Sequence, residues 1–339
     1  MRLCLRLLLP MFLLLVSTAL FAASGYRLLR KIPLGGEGGW DYLTFDPDSG
    51  RLFISRATHV IVLDAASGKV VGDIPDTAGV HGIALAPELG RGFTSNGRAD
   101  TVTIFDLKTL ATIGQVKTGQ NPDAIVYDPA SKRVFAMNGR SGDATAIDAT
   151  TGTVAGTVPL GGKPEFAVAD GHGRIYVNIE DKSELVALDS HKLAVVARWP
   201  LTPCEEPTGL AIDLKRRRLF AGCGNRLMAV VDAEKGKVIA TLPIGSGVDA
   251  TAFDPRLQYA YASNGEGTLT VVHEDSPGKF TVVENVTTQR GARTMALDPG
   301  THQVYLVTAD FAPAPQPASG QPVRPAILPN TFVLLVMGR

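Results

Sequence analysis

Seven positions along the chain recur at a nearly constant interval, and six of them carry ionisable side chains. These ring residues are Asp41, His81, Asp123, Glu165, Thr208, Asp249 and Arg293. Successive members are separated by 40, 42, 42, 43, 41 and 44 residues. If the fold brings the seven positions together, four carboxylates, one imidazole and one guanidinium meet at one place and form a candidate ligand-binding site.

One chemistry open to such a set is metal binding. Hard oxygen ligands favour Ca²⁺ or Mg²⁺, and one imidazole also admits Mn²⁺ or Zn²⁺. The candidate metal ligands are Asp41, His81, Asp123, Glu165 and Asp249. The cofactor is therefore unknown at this level, with a divalent cation as the candidate.

A second chemistry is general base catalysis, because a carboxylate crowded by like charges has a raised pKa and can accept a proton. Arg293 would then stabilise an oxyanion. The candidate catalytic residues are His81, Asp123, Glu165 and Arg293. A third interpretation is that the ring residues only hydrate a polar channel, since a packed core needs no acid there.

The elements that would position the ring residues follow from an internal repeat. Each ring residue lies five residues before a recurring turn, such as Phe45-Asp46-Pro47 or Tyr127-Asp128-Pro129. Within residues 78–119, four short segments with β-strand patterning are separated by Asp, Asn, Gly and Pro turns. Four strands in about 42 residues are typical of a propeller blade. The first strand of a blade lines the central channel, so the ring residues should meet at one mouth of that channel.

The number of blades is predicted by counting the second strands, of which there are seven. The seventh unit ends with its third strand, Thr331–Met337, and lacks a fourth. The segment Leu28–Gly35 is similar to the fourth strand Val154–Gly161, so it should complete the last blade and close the ring. The sequence thus predicts an all-β, seven-bladed propeller that forms a single domain over residues 25–339.

The second strands end in an aromatic, a β-branched or small residue and then asparagine, as in Tyr176-Val177-Asn178 and Tyr261-Ala262-Ser263-Asn264. These segments resemble the bacterial YVTN-repeat propellers, in particular the exported YncE-like group. The resemblance covers the chain after its first two dozen residues. It implies an extracytoplasmic seven-bladed propeller and leaves the activity open, because propellers host many functions.

The N-terminus is typical of a secretory signal peptide. Arg2 and Arg6 precede the apolar run Leu7–Val16, and small residues follow. We predict a signal peptide over residues 1–24, with cleavage after Ala19 or Ser24, and no membrane span in the mature chain. The protein is then periplasmic or secreted. In an oxidising compartment, Cys204 and Cys223 are expected to form a disulfide, with a soft metal site or two free thiols as the alternatives.

Charge and composition limit the partners. Lys plus Arg and Asp plus Glu both number 33, so the formal net charge is zero and nothing indicates nucleic-acid binding. At 45% hydrophobic residues the chain can bury a large core, which excludes global disorder. We expect a monomer that binds a small molecule or an exported protein.

The loops between second and third strands should open beside the ring residues and form a polar rim. The rim candidates are Arg56, His59, Asn96, Arg98, Asn138, Arg140 and Asn264, with Glu180, Asn225 and Asp310 nearby. The same face receives residues 311–330, a proline-rich segment inserted in the last blade. A segment of this length without strands is usually functional or disordered, and we predict a stiff flap beside the mouth.

The function that these features favour is binding of a ligand or partner at the channel mouth. The alternative is a metal-assisted enzyme of lactonase, hydrolase or isomerase type that uses the acidic ring, and a further option is a scaffold for protein interaction. Whether the chain is an enzyme is left open by the sequence.

Overall fold

The computed structural model describes residues 24–313 and 325–339. In this part of the chain, 28 strands form seven four-stranded antiparallel sheets. Two single-turn 3-10 helices, Pro87–Leu89 and Glu180–Lys182, are the helical elements among the described residues. The predicted all-β, seven-bladed propeller is confirmed.

The blades follow one another along the chain, each running from its innermost to its outermost strand. Blade 1 contains β2 (Leu43–Asp46), β3 (Arg51–Arg56), β4 (His59–Asp64) and β5 (Val70–Ile74), and blade 2 contains β6 (Val80–Ala86), β7 (Arg91–Asn96), β8 (Thr101–Asp106) and β9 (Thr112–Lys117). Blade 3 contains β10 (Pro122–Asp128), β11 (Arg133–Asn138), β12 (Asp143–Asp148) and β13 (Thr153–Pro159), and blade 4 contains β14 (Pro164–Ala169), β15 (Arg174–Ile179), β16 (Glu184–Asp189) and β17 (Ala194–Pro200). Blade 5 contains β18 (Pro207–Asp213), β19 (Arg218–Cys223), β20 (Leu227–Asp232) and β21 (Lys237–Pro243), and blade 6 contains β22 (Val248–Asp254), β23 (Tyr259–Asn264), β24 (Thr268–Ser276) and β25 (Lys279–Thr287).

The last blade is assembled from both ends of the chain, as predicted. It contains β26 (Met295–Asp298), β27 (Gln303–Thr308), β28 (Val333–Gly338) and, as its outermost strand, β1 (Arg27–Pro33). Strand β1 runs antiparallel to β28, with Arg27 opposite Gly338 and Pro33 opposite Val333. This pairing covers the edge that β28 would otherwise expose, and it joins the ends of the ring.

The core lies between the blades and is built mainly by the second and third strands. Alternation along β11 and β15 turns large side chains such as Phe135 and Tyr176 toward neighbouring blades, and both are buried. Burying one such side chain stabilises the fold by about 1.5–3 kcal/mol. Because the core is divided into layers between successive blades, it fixes the angle at which each inner strand reaches the channel.

The aspartates at the turns have a structural role. Asp46 accepts the N–H of Asp48, and Asp106 accepts the N–H groups of Lys108 and Thr109. Hydrogen bonds from Thr109 lower the pKa of Asp106, since they stabilise the charged carboxylate. Acids at these turns therefore belong to the repeat and not to a site.

The predicted disulfide between Cys204 and Cys223 is present, with the two Cα atoms 5.5 Å apart. It links the segment before β18 to the end of β19 in the same blade. Both residues are buried. A buried disulfide fits a protein that folds in an oxidising environment.

The predicted signal peptide lies outside the described residues, except for Ser24. Ser24 is buried, and its hydroxyl donates to Glu284 Oε2 at 2.5 Å. The next buried residue, Tyr26, shares a hydrogen bond of 2.7 Å with Tyr261. The folded domain therefore includes residue 24. No helix within the described residues is long and apolar enough to cross a membrane.

Candidate functional site

All seven ring residues line one cavity at a mouth of the channel, with a volume of about 540 Å³. Each comes from a different blade. His81, Asp123, Glu165, Thr208 and Asp249 occupy the second position of their inner strands, whereas Asp41 and Arg293 lie just before β2 and β26. The regular spacing in the sequence thus corresponds to one side chain per blade around a common axis.

In blades 2 to 6, a bulge in the inner strand aims the ring side chain into the channel. In blade 2, Val80 pairs with Asn96 and the next pair is Ile83 with Thr94, so the inner strand contains one extra residue beside His81. The same irregularity follows Pro122 in blade 3 and Pro207 in blade 5. A bulge bends the strand locally and reorients the side chain at that point.

Short hydroxyl side chains hold the bulged backbone. They share a place near the end of the second strand and reach the inner strand of their own or the next blade. Ser55 Oγ accepts the N–H of Asp41 at 2.9 Å, Ser95 accepts the N–H of Gly82 and donates to the carbonyl of Asp123, and Ser263 donates to the carbonyl of Arg293. The three serines are buried. Ser95 and Ser263 each link the inner strand of their own blade to a ring residue of the next blade, whereas Ser55 holds Asp41 alone.

One cluster in the cavity is an acid–imidazole–acid group. His81 Nδ1 lies 2.6 Å from Asp41 Oδ2 and 3.7 Å from Asp123 Oδ1. One ligand atom from each of the three residues can be chosen so that all lie within 4.8 Å of one another. This spacing would allow the three residues to hold one cation.

The cavity changes the acidity of the groups around it. Burial lowers the pKa of His81, but the hydrogen bond with Asp41 and the charges of Asp123 and Glu165 outweigh burial and raise the pKa to about 9. Burial raises the pKa of the carboxyls of Asp123, Glu165 and Asp249, and nearby carboxylates raise it further. The pKa of these three carboxyls is thus shifted in the direction opposite to that of Asp106, because burial and neighbouring carboxylates disfavour their charged form.

Two cations partly neutralise the ring. Arg293 Nε lies 3.3 Å from Asp249 Oδ2, and its Nη2 lies 3.9 Å from Asp41 Oδ1. Lys163 Nζ lies 2.6 Å from Glu165 Oε1 and also contacts Glu180. The charge of the cavity is therefore organised into pairs rather than spread uniformly.

Two aromatic rings pack against each other next to the ring residues, and one of them, Tyr42, lines the cavity. The Tyr42 and Phe166 rings, from the inner strands of blades 1 and 4 or just before them, lie 4.8 Å apart between centroids. Tyr42 is buried, and its hydroxyl donates to the carbonyl of Asp249 at 3.4 Å.

The predicted rim residues divide into three groups. Asn96, Asn138 and Asn264 are fully buried inside their blades, where each amide donates to threonine hydroxyls of the third strand. They hold the hairpin together because a buried amide needs partners, and they do not form a rim.

Arg56 is also buried, donates to the carbonyls of Gly38 and Glu37, and lies 3.8 Å over the Phe332 ring. His59 lies 3.7 Å from Asp73 on the outer part of blade 1. Asn225 and Asp310 make loop contacts, with Pro203 and Gln289 respectively. Of the rim candidates, Arg98 and Arg140 are exposed beside smaller cavities, and Glu180 reaches the ring cavity.

The proline-rich segment is described only at its two ends. Phe311 pairs with Ile327, and Ala312 donates to the carbonyl of Ala326 at 2.8 Å. The ends of the segment therefore approach one another beside the mouth. The predicted flap over residues 311–330 otherwise lies largely outside the described residues.

Lys163, Tyr42 and the three buried serines that hold the backbone of the ring residues were not predicted from the sequence. Lys163 stands two residues before Glu165, and its role depends on a contact with Glu180 in the same blade, which spacing alone does not show. The serines could have been found, because Ser55, Ser95 and Ser263 occupy one repeat position.

No curated protein matches the sequence of the chain. Three solved structures share the fold. Hydrazine synthase of Kuenenia stuttgartiensis has a TM-score of 0.70 at 17% identity, covering 81% of this chain and 92% of that one. A chain of the mitotic checkpoint complex has a TM-score of 0.73 at 14% sequence identity, and the match covers 90% of this chain and 95% of that one. U3-55K has a TM-score of 0.73 at 9% sequence identity, and the match covers 91% of this chain and 98% of that one.

At such low identities, these structures show the fold alone. The specific resemblance to YVTN-repeat proteins stays a prediction. One family model does match in sequence: it is described as outer membrane protein assembly factor BamB (PQQ_2) and covers residues 98–316, more than half of the chain. The chain therefore belongs to this propeller family.

Proposed function

We propose that the protein is an exported propeller that binds a small polar ligand in the ring cavity. The observation that carries the proposal is the convergence of seven side chains, one from each blade, on a pocket of about 540 Å³. A volume of this size is in the usual range for small-molecule sites, about 300–1,000 Å³. Turn chemistry requires no acid at these positions, so the ring needs another explanation.

The charges indicate the kind of ligand. Five carboxylates, Asp41, Asp123, Glu165, Glu180 and Asp249, line the cavity with three basic side chains, His81, Lys163 and Arg293. The excess of carboxylates favours a ligand that carries a positive charge or several hydroxyl groups. Such a ligand would supply the hydrogen bonds that the buried carboxylates lack.

Export is supported by two independent features. The buried disulfide between Cys204 and Cys223 fits an oxidising compartment, and the N-terminal sequence has the charge and apolar pattern of a signal peptide. We infer a periplasmic or secreted location and a monomer. The family relationship is compatible with an exported protein partner, but the cavity favours a small molecule.

The proposal can be tested by thermal shift with a panel of polyols, amino acids and polyamines. A true ligand should raise the melting temperature of the wild type and lose most of its effect in Asp123→Ala and Glu165→Ala. Asp73→Ala is the matched control, because Asp73 is a partly exposed carboxylate on the outer strand of blade 1. If the two ring variants respond like the wild type, the ring is not the binding site.

A second candidate function is metal-assisted catalysis of a lactonase, hydrolase or isomerase type. The observation that favours it is the spacing of Asp41, His81 and Asp123, whose ligand atoms lie within 4.8 Å of one another. A cation there would be held by two carboxylate oxygens and one imidazole nitrogen, a set that suits Mn²⁺ or Zn²⁺. Glu165, whose pKa is raised by burial and by the charge of Asp123, would be the candidate general base.

Metal analysis and thermal shifts with Ca²⁺, Mg²⁺, Mn²⁺ and Zn²⁺ test this candidate. Stabilisation by one of these ions that disappears in His81→Gln would support it. No stabilisation by any of the four contradicts the metal-assisted mechanism. The remaining alternative, a scaffold, predicts that capture of a partner protein survives substitution of the ring residues.

A further inference from the structure

A second cleft lies beside the ring cavity and differs from it in chemistry. It has a volume of about 430 Å³ and is lined by Trp40, Arg290, Gly291, Arg293, Phe311 and Ile327, among others. Three residues, Gly265, Gly291 and Arg293, line both spaces, so the cleft and the ring cavity adjoin one another. The first cavity is dominated by carboxylates, whereas the cleft contains two arginines and no carboxylate.

One wall of the cleft is aromatic and is held firmly. The Trp40 and Phe311 ring centroids lie 6.1 Å apart, and Trp40 also packs on Phe332 at 5.3 Å. Gly291 allows Phe311 to approach, because a Cβ at residue 291 would stand 2.7 Å from that ring. Ile327 extends the wall and keeps 38% of its surface exposed. An ordered apolar wall that faces solvent is suited to a flat apolar group.

Arg290 supplies a positive charge at the edge of this wall. Its guanidinium carbon lies 5.9 Å from the centroid of Phe311. Within residues 24–313 and 325–339, no carboxylate forms an ion pair with Arg290, whereas Arg293 is paired with Asp249 at 3.3 Å. Arg290 is therefore the cation of the cleft that has its hydrogen-bond donors available to a ligand.

We propose that this cleft binds a small aromatic carboxylate. The ring of the ligand lies against Trp40, Phe311 and Ile327, and its carboxylate pairs with Arg290. Arginine and a carboxylate form two parallel hydrogen bonds, and the aromatic wall removes the apolar part of the ligand from water. This inference concerns a site separate from the ring cavity, so it does not depend on what the ring residues bind.

The sequence offers a direct probe, because the chain has two tryptophans and only Trp40 lies at the cleft. Trp199 lies on the outermost strand of blade 4, against Tyr176. In a Trp199→Phe background, the fluorescence of Trp40 alone reports on the cleft. Titration with 3-phenylpropionate should change this fluorescence saturably, and its neutral amide, 3-phenylpropionamide, should bind at least about tenfold more weakly, since it lacks the charge that pairs with Arg290.

Two variants make the test specific. Arg290→Gln should weaken 3-phenylpropionate binding about tenfold or more, while Arg140→Gln, at an exposed arginine beside another cavity, should leave it unchanged. Absence of saturable binding, or equal binding of the acid and amide to wild type and Arg290→Gln, would overturn the proposal.

Discussion

The contact between Asp41 and His81 leads to a quantitative prediction about proton binding. His81 is partly buried between Asp41 and Asp123, and its pKa is about 9 instead of the ordinary 6.5. At about 1.36 kcal/mol per pH unit, this difference corresponds to about 3 kcal/mol in favour of the charged imidazole. Asp41 makes the closest contact, so it should account for much of the effect.

The perturbation is Asp41→Asn, which keeps the shape of the side chain and removes its charge. Burial disfavours the charged imidazole, and without the negative charge of Asp41 less attraction remains to offset it. We therefore expect the pKa of His81 to fall by about one to two units. The charges of Asp123 and Glu165 remain and should keep the pKa from falling further.

The assay is an NMR titration of the histidine ring protons, with the His81 signal assigned by its loss in His81→Gln. Asp73→Asn is the matched control, because Asp73 contacts His59 at 3.7 Å far from the ring and should leave the His81 titration unchanged. A wild-type His81 that titrates near its ordinary value, or one that is insensitive to Asp41→Asn, would refute the reasoning.

The same pair affects stability with a defined sign. Because folding raises the pKa of His81, the stabilisation is complete below about pH 6.5 and is lost as the pH rises through about 9. The carboxyls of Asp123 and Glu165 act in the same direction, since folding raises their pKa as well. Urea unfolding of the wild type should therefore require less denaturant at alkaline pH than near neutrality.

Three further predictions concern the frame of the site and its processing. Replacing Cys204 and Cys223 with serine should lower the free energy of unfolding by about 3 kcal/mol, because the disulfide closes a loop with a sequence separation of 19; an unchanged urea midpoint would contradict this. Ser95→Ala removes a buried hydroxyl that is hydrogen-bonded to two inner strands, and it should lower the free energy of unfolding by about 1–3 kcal/mol. A decrease below about 0.5 kcal/mol would show that these hydrogen bonds are not needed for stability. N-terminal sequencing of the exported protein should show cleavage after Ala19, because cleavage after Ser24 would remove a buried residue that donates a hydrogen bond to Glu284. A mature chain that begins at residue 25 would contradict this prediction.

The sequence predicted the fold and the placement of the ring residues because both follow from the repeat. A period of about 42 residues fixes which strand a residue belongs to, and the second position of an inner strand is the same place in every blade. The direction of a side chain is less accessible to this reasoning. Asn96 and Asn264 are the last residues of second strands and were expected at the rim, but their amides turn inward to threonine hydroxyls.

Contacts between different repeats were also beyond the sequence. The contact between Tyr42 and Phe166 joins blades 1 and 4, and the aromatic cleft joins Trp40 to Phe311 at the far end of the chain. The residues in these pairs are not part of the repeat, because the equivalent positions in the other blades carry different residue types. Periodicity therefore cannot predict them, and only the closed ring brings them together.

The joining of the last blade from both ends of the chain has a consequence for how copies of the protein interact during folding. Strand β1 and its partner β28 are about 310 residues apart, so bringing them together costs about 5 kcal/mol of chain entropy beyond a constant. Until this happens, each molecule has a free strand and a vacant edge that fit those of any other copy. Intramolecular closure thus competes with domain swapping, and a high local concentration of unfinished chains favours exchanged oligomers over the closed monomer.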